Sequence, residues 1–249
     1  MLHRPLHTVG AHEVHVWHLL AEHVTEPATL RAIHALLSAD EAVRMNALRH
    51  EKDRSLFLLS RGLMRSVLAS YLGCQGHEVC FGSDAHGKPI LRANTHPRPL
   101  HFNLTHSRGA VALAVSGGRE VGIDVEERGR SVEYLALAER FFAPAEVRYL
   151  QSIAPAQVPQ AFFALWTLKE AYVKGIGRGL SFPLDAFRFD LEGDRLTRFQ
   201  AIEDFVSDHW HFQQFALGER HCGALAVQNP PGGTVTIEWR DWREVFIQA

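Results

Sequence analysis

Asp124 and Glu126 alternate with Val121, Ile123 and Val125 in the run Val121-Gly-Ile-Asp-Val-Glu126. The two-residue period of a strand sends the apolar set to one face and both carboxylates to the other. Further along, Trp166-Thr-Leu-Lys-Glu-Ala-Tyr-Val-Lys174 carries Glu170 and Lys174 at i and i+4, neighbours on a helix surface. Ala161, Leu165, Leu168 and Tyr172 recur at helical spacing as a stripe to be buried, leaving Phe163, Thr167, Glu170 and Lys174 on a different face. If that helix packs beside the strand's polar face, Asp124, Glu126 and Glu170 converge as three hard oxygen donors, the ligand type Mg2+ requires. Lys174 then stands one turn away, placed to meet a phosphate. Each piece also has an ordinary reading. An alternating strand with two acids is commonly half-solvated, and a Glu–Lys pair at i, i+4 is a common surface feature worth only about 0.3–0.5 kcal/mol. Their joint occurrence in one chain is what singles them out.

The joint pattern runs Gly122-Ile-Asp-Val-Glu126, then Phe141-Phe142, then Trp166-Thr-x-Lys-Glu-Ala-x-x-Lys174, followed by Gly175, Gly177 and Gly179-Leu180. In this order it resembles the larger, single-chain 4'-phosphopantetheinyl transferases of the surfactin-synthetase-activating type. Upstream, Gly87-Lys-Pro89 and Phe102-Asn-Leu-Thr-His-Ser107 are similar to that family's coenzyme A contacts, and the order agrees from about residue 38 to about residue 190.

The resemblance implies an α+β fold of two similar lobes related by a pseudo-twofold, with the active site in the cleft between them. Residues 1–118 would bind the nucleotide end of coenzyme A, and residues 119–249 would bring metal and catalytic groups. It implies Mg2+ held by Asp124, Glu126 and Glu170, with Lys174 on the pyrophosphate. For coenzyme A it implies Lys88 on the 3'-phosphate, then Thr105 and His106. A basic residue near the first helices completes the set: Arg44 first, because Ser38-x-x-Glu41-x-x-Arg44 is similar to the family's helix start, then Lys52 and Arg54. Taken alone, each of these basic residues reads equally as a solvated flank of an amphipathic helix. Thr105, at the end of a strand, could also cap a short helix whose N–H groups attract an anion.

Composition sets wider bounds. The 249 residues are ample to bury a core. A formal charge of -2 gives no electrostatic footprint for nucleic acid. Cys74, Cys80 and Cys222 have no metal-ligand spacing, and an odd count does not suit a fully paired disulfide framework, so a reducing cytoplasm is expected. No export signal and no membrane-spanning stretch is read, and a monomer is expected. The sixteen histidines are scattered, and His12, His15 and His18 do not share one strand face.

Pattern places a strand at Val14–Leu20, a capped helix from Ser38, and a longer helix at about Asp53 to Leu72 stopped by Gly73. Short strands follow at 79–81 and 89–91, a loop at 92–100, a strand entering at His101, and another at Ala110–Val115. Ser116-Gly-Gly118 marks the turn between the lobes. Helices at Glu133–Phe141 and Pro144–Leu150 precede the Trp166 helix, and 151–158 is a looser join. Strands at 187–189, 210–215, 224–227 and 234–239 are expected to supply the second sheet. Gly175-Ile-Gly-Arg-Gly179 is no dinucleotide fingerprint, since it follows a helix and lacks the G-x-G-x-x-G spacing.

The expected reaction transfers the 4'-phosphopantetheine arm of coenzyme A to a serine of an apo acyl or peptidyl carrier protein and releases 3',5'-ADP. Glu170, directly or through water, is the candidate general base. A non-catalytic coenzyme A or carrier-binding module would leave the three acids unexplained. A Mg2+-dependent phosphohydrolase would cleave coenzyme A without a carrier. Arg140 and Arg148 could meet an acidic carrier helix, yet read more readily as ordinary solvated arginines.

Overall fold

The computed structural model describes residues 5–92, 99–130, 132–207, 209–229 and 233–246. The expected loop at 92–100 falls largely outside them. The fold is α+β, built in four layers, with a helix packed on each of two sheets and the sheets packed on each other.

The first sheet has the order β11-β1-β5-β4. It joins β1 (Glu13–Leu20), β4 (Leu100–Ser107), β5 (Ala110–Gly117) and β11 (Thr236–Asp241). The second has the order β6-β10-β9, with β6 (Val121–Glu127), β9 (Trp210–Leu217) and β10 (His221–Gln228). Two hairpins stand apart, β2 (Phe81–Ser83) with β3 (Pro89–Leu91) and β7 (Phe187–Glu192) with β8 (Arg195–Ala201).

The helix α1 (Pro27–Ala35) leads into α2 (Ala39–Ala47), which starts as its sequence predicts. Ser38 accepts from the Glu41 amide while Glu41 accepts from the Ser38 amide, both partners of a capping box. The long α3 (Glu51–Leu72) then lays Leu59, Leu63 and Val67 against Trp17, Leu19, Leu113 and Val115. In the second half, α4 (Tyr134–Phe141) and α5 (Pro144–Ser152) flank α6 (Val158–Ile176). The stripe of Ala161, Leu165, Leu168 and Tyr172 is buried to 1% exposure or less.

Strand β5 shows why the layers form. Its Val111, Leu113 and Val115 face α3, while Ala110, Ala112 and Ala114 face the other sheet, against Val121, Ile123 and Val125. Small side chains on the sheet-to-sheet side let the strands approach, and large ones on the helix side fill the space there.

Two expectations change, and one strand was not expected. The final strand, β11, does not join the second sheet: it pairs parallel to β1, Glu13 opposite Thr236, on the first. Trp242 and Val245, in the short α7 (Arg243–Phe246) and just before it, bury themselves in the first core. Parallel pairing needs a long crossover that leaves no local sequence mark. Strand β8 had no prediction, because Arg195 and Arg198 interrupt the apolar alternation and only Leu196 and Phe199 reach the core. The corner at Thr105–Gly109 holds no helix. Strand β4 continues to Ser107 and turns through Arg108-Gly109 into β5, with Gly109 at φ +89, a conformation that favours glycine.

Among the described residues no helix is long and apolar enough to cross a membrane. The three cysteines are free.

Candidate active site

The polar face of β6 is not solvated: α6 lies on it. What allows this is Gly122, where an added Cβ would stand 2.0 Å from the Ala171 carbonyl oxygen and 2.3 Å from the Gly175 amide nitrogen. Only a residue without a side chain lets helix and strand backbones touch. From that contact, Asp124 and Glu126 follow along the strand at period two, while Lys174 and Glu170 follow back along the helix. The four side chains are thus laid over one another by backbone geometry.

Lys174 Nζ lies 2.5 Å from Asp124 Oδ1 and also meets the Ile123 carbonyl and Thr105 Oγ1. Asp124 Oδ2 is buried without a hydrogen-bond partner among the described residues. Burial pushes the Asp124 carboxyl up, with Lys174 opposing. Burial, then the charge of Asp124, raises both Glu126 and Glu170. Three acids that each resist ionisation are answered by the Lys174 ammonium and, 3.9 Å from Glu126 at the half-exposed edge, by the Arg130 guanidinium, which leaves the site short of positive charge. Among the described residues no three His, Cys, Asp or Glu side chains are gathered at metal-ligating spacing. The donor set nevertheless fits a hard divalent cation: carboxylate oxygens only, one of them unpaired and buried.

The edge strands β4 and β6, which belong to different sheets, are joined by side chains. Asn103, Thr105 and Ser107 accept in turn from the amides of Ile123, Val125 and Glu127, at 2.9, 3.3 and 3.1 Å. The same hydroxyls donate to the acids, Thr105 to Asp124 at 3.2 Å and Ser107 to Glu126 at 3.0 Å. Thr105 is therefore fully engaged in holding the strand and Asp124, with no anion-capping helix behind it.

His106 alternates to the other side of β4 and is exposed. Partial desolvation of the ring, then the charges of Lys174 in the acid site and Arg61 in the first helices, push its pKa down, with Asp124 opposing. There a cavity of about 790 Å3 is lined by Arg44, Arg61, Arg65, Gly87, Pro89 and Arg92, among others. Arg65 is spent on structure, donating to Glu41 and to the Gly76 and Val79 carbonyls. Arg61 lies 3.9 Å from Glu41 and over the Phe57 ring. Arg61 is a basic residue at this cavity beyond the expected Arg44, Lys52 and Arg54. Its one signal was spacing: it shares a helix face with Arg65, beneath the capping acid of α2.

Other expected contacts stand elsewhere. Lys88 does not line this cavity although Gly87 and Pro89 do; its Nζ reaches Glu120 at 3.0 Å and the Gly175 carbonyl at 3.1 Å. It straps the β2–β3 hairpin to the end of α6, where a cation is favoured by the helix dipole. Arg54 donates to the Leu48 and Arg49 carbonyls, closing the link between α2 and α3. Lys52 is exposed on the first turn of α3 and away from the cavity lining.

Comparison with known proteins agrees over most of the length. Residues 120–226 match the model of the 4'-phosphopantetheinyl transferase superfamily, and residues 24–117 match that of the 4'-phosphopantetheinyl transferase N-terminal domain. The 4'-phosphopantetheinyl transferase HetI of Nostoc sp. is 37% identical over 174 residues, covering 70% of this chain and 73% of the relative. A 4'-phosphopantetheinyl transferase of Bacillus subtilis is 33% identical over 160 residues, 64% of this chain and 69% of the relative. The human L-aminoadipate-semialdehyde dehydrogenase-phosphopantetheinyl transferase is 26% identical over 211 residues, 79% and 68% of the two chains. With two family models in tandem and a relative this similar over most of both chains, the protein belongs to the 4'-phosphopantetheinyl transferase family.

Proposed function

We propose that this transferase moves the 4'-phosphopantetheine arm of coenzyme A onto a serine of an apo acyl or peptidyl carrier protein in the cleft where β4, β6 and α6 meet. The observation that carries the reading is the charge-deficient set of Asp124, Glu126 and Glu170 beside Lys174. The three carboxylates would hold Mg2+, which when bound offsets the charge on the diphosphate. Lys174 would leave Asp124 for the pyrophosphate oxygens. Glu170, its proton affinity raised by burial, accepts the serine proton directly or through water. The serine oxygen bonds to the phosphorus bearing the pantetheine arm, the P–O bond to the nucleotide breaks, and its electron pair departs with 3',5'-ADP.

Coenzyme A's nucleotide end is assigned to the basic cavity, with Arg44 and Arg61 on its phosphate and His106 between that cavity and the acids. Lys88, Thr105 and Arg54 are assigned to architecture, and Lys52 to no contact. The chain is read as two lobes related by a pseudo-twofold, residues 1–118 and 119–249, with β11 and α7 completing the first. The support is that each half sets one long helix on one sheet. A monomer acting in the cytoplasm, without nucleic acid, fits the near-neutral charge of -2.

The test is intact-mass measurement of apo carriers after incubation with the protein, MgCl2 and coenzyme A. A phosphopantetheine adduct is expected on an acyl or a peptidyl carrier. No adduct on several unrelated carriers overturns the reading, and coenzyme A cleavage without carrier replaces it with hydrolysis.

A further inference from the structure

Lys169 precedes Glu170 in the chain and has no exposed surface at all. Its Nζ donates to Glu146 Oε2 at 2.8 Å, to the Leu184 carbonyl at 2.7 Å and to the Phe187 carbonyl at 2.9 Å. An ammonium has three N–H groups, and these three acceptors use them all. Both carboxylate oxygens are engaged as well: Glu146 also accepts from the Ala143 amide and from the Phe189 amide, each at 2.9 Å. The Phe187 ring covers the ammonium at 4.4 Å. One ion pair therefore joins the start of α5, the middle of α6, the turn at Leu184–Ala186 and strand β7.

A buried ion pair rarely adds stability over apolar side chains of the same size. It can, however, demand one direction. Rotating α6 about its axis would break three donor bonds at once, whereas a leucine would tolerate the turn. Successive helical residues point about 100° apart, so fixing Lys169 fixes Glu170, and with it Lys174 four residues on.

We infer that Lys169, through its pair with Glu146, is a positioning residue that sets the rotation of α6 and so aims Glu170 at the acids of β6. The inference rests on the role proposed for Glu170.

Three variants test it: Lys169→Met, Glu146→Gln, and the two combined, which removes both charges while leaving an acceptor for the Phe189 amide. Transfer is measured well below each variant's melting temperature, together with KM for coenzyme A and calorimetric titration with MgCl2 in the presence of coenzyme A. In the folded variants kcat falls at least tenfold and the Mg2+ midpoint rises at least threefold, while KM for coenzyme A stays within twofold. Wild-type kcat and an unchanged Mg2+ midpoint in any folded variant overturn the inference, and failure of all three to fold overturns it in favour of a pair that only holds the core. An inactive wild type would instead remove the proposed function.

Discussion

Two lysine–carboxylate pairs sit five residues apart on α6 and behave oppositely. Lys169–Glu146 has no exposed atom to speak of, and each donor and acceptor is used. Lys174–Asp124 is as short, yet Lys174 is 30% exposed, Asp124 Oδ2 has no partner among the described residues, and two further acids press on it. Polar groups enclosed with every valence met make a joint that resists change. The same groups enclosed with a valence unmet make a place where something else is wanted.

The contrast can be broken most sharply at the acids. Asp124→Ala and Glu170→Ala are each expected to lower transfer by about a thousandfold or more, roughly 4 kcal/mol of transition-state stabilisation. Glu170→Ala should melt no lower than the parent, because a repelling carboxylate has gone, whereas Asp124→Ala leaves Lys174 and Thr105 without their partner and should melt lower. Intact-mass turnover assays and thermal melts check both halves, and an active Asp124→Ala would make the two pairs equivalent.

Next in size is the contact that stacks the acids. Gly122→Ala drives a methyl into the Ala171 carbonyl and should cost about 2–3 kcal/mol in urea unfolding. Here activity and stability fall together, unlike Glu170→Ala.

The smallest effect is on pH. The three site carboxyls have raised values, so the stability they allow is complete at low pH and is lost as pH rises through those values. His7, His15 and His18 are lowered by burial, so their stability is present above the usual 6.5 and is lost as pH falls below it. Chelating Mg2+ should therefore lower the melting point more at pH 7 than at pH 5, where protons compete for the same oxygens. At a tenfold excess over Kd the difference is about 1.4 kcal/mol. An equal loss at both pH values would mean that the acids do not hold the cation.

Much of what frames the cleft was readable from the chain. The alternation at Val121–Glu126 gives the helix-facing side of β6, and the spacing through Tyr172 gives the stripe that α6 buries. What stayed hidden was long-range. Lys88 follows a loop glycine and reads as a free cation, yet its partners Glu120 and Gly175 come from two distant elements. Thr105 reads as an anion cap because its real partners, Val125 and Asp124, lie on an edge strand of another sheet. Arg61 and Arg54 are indistinguishable as helix-flank arginines; only the fold turns one toward a cavity and the other onto the carbonyls of a link. The parallel return of β11 follows from an open flank on β1, which no local pattern announces.

The seam between the sheets has a consequence for how such a protein can vary. Its three fasteners, Asn103, Thr105 and Ser107, are short side chains, so one codon can loosen one tooth while every ladder within each sheet survives. Cleft width and the reach of the acids can thus be retuned in small steps, leaving the two halves intact on either side of the zip.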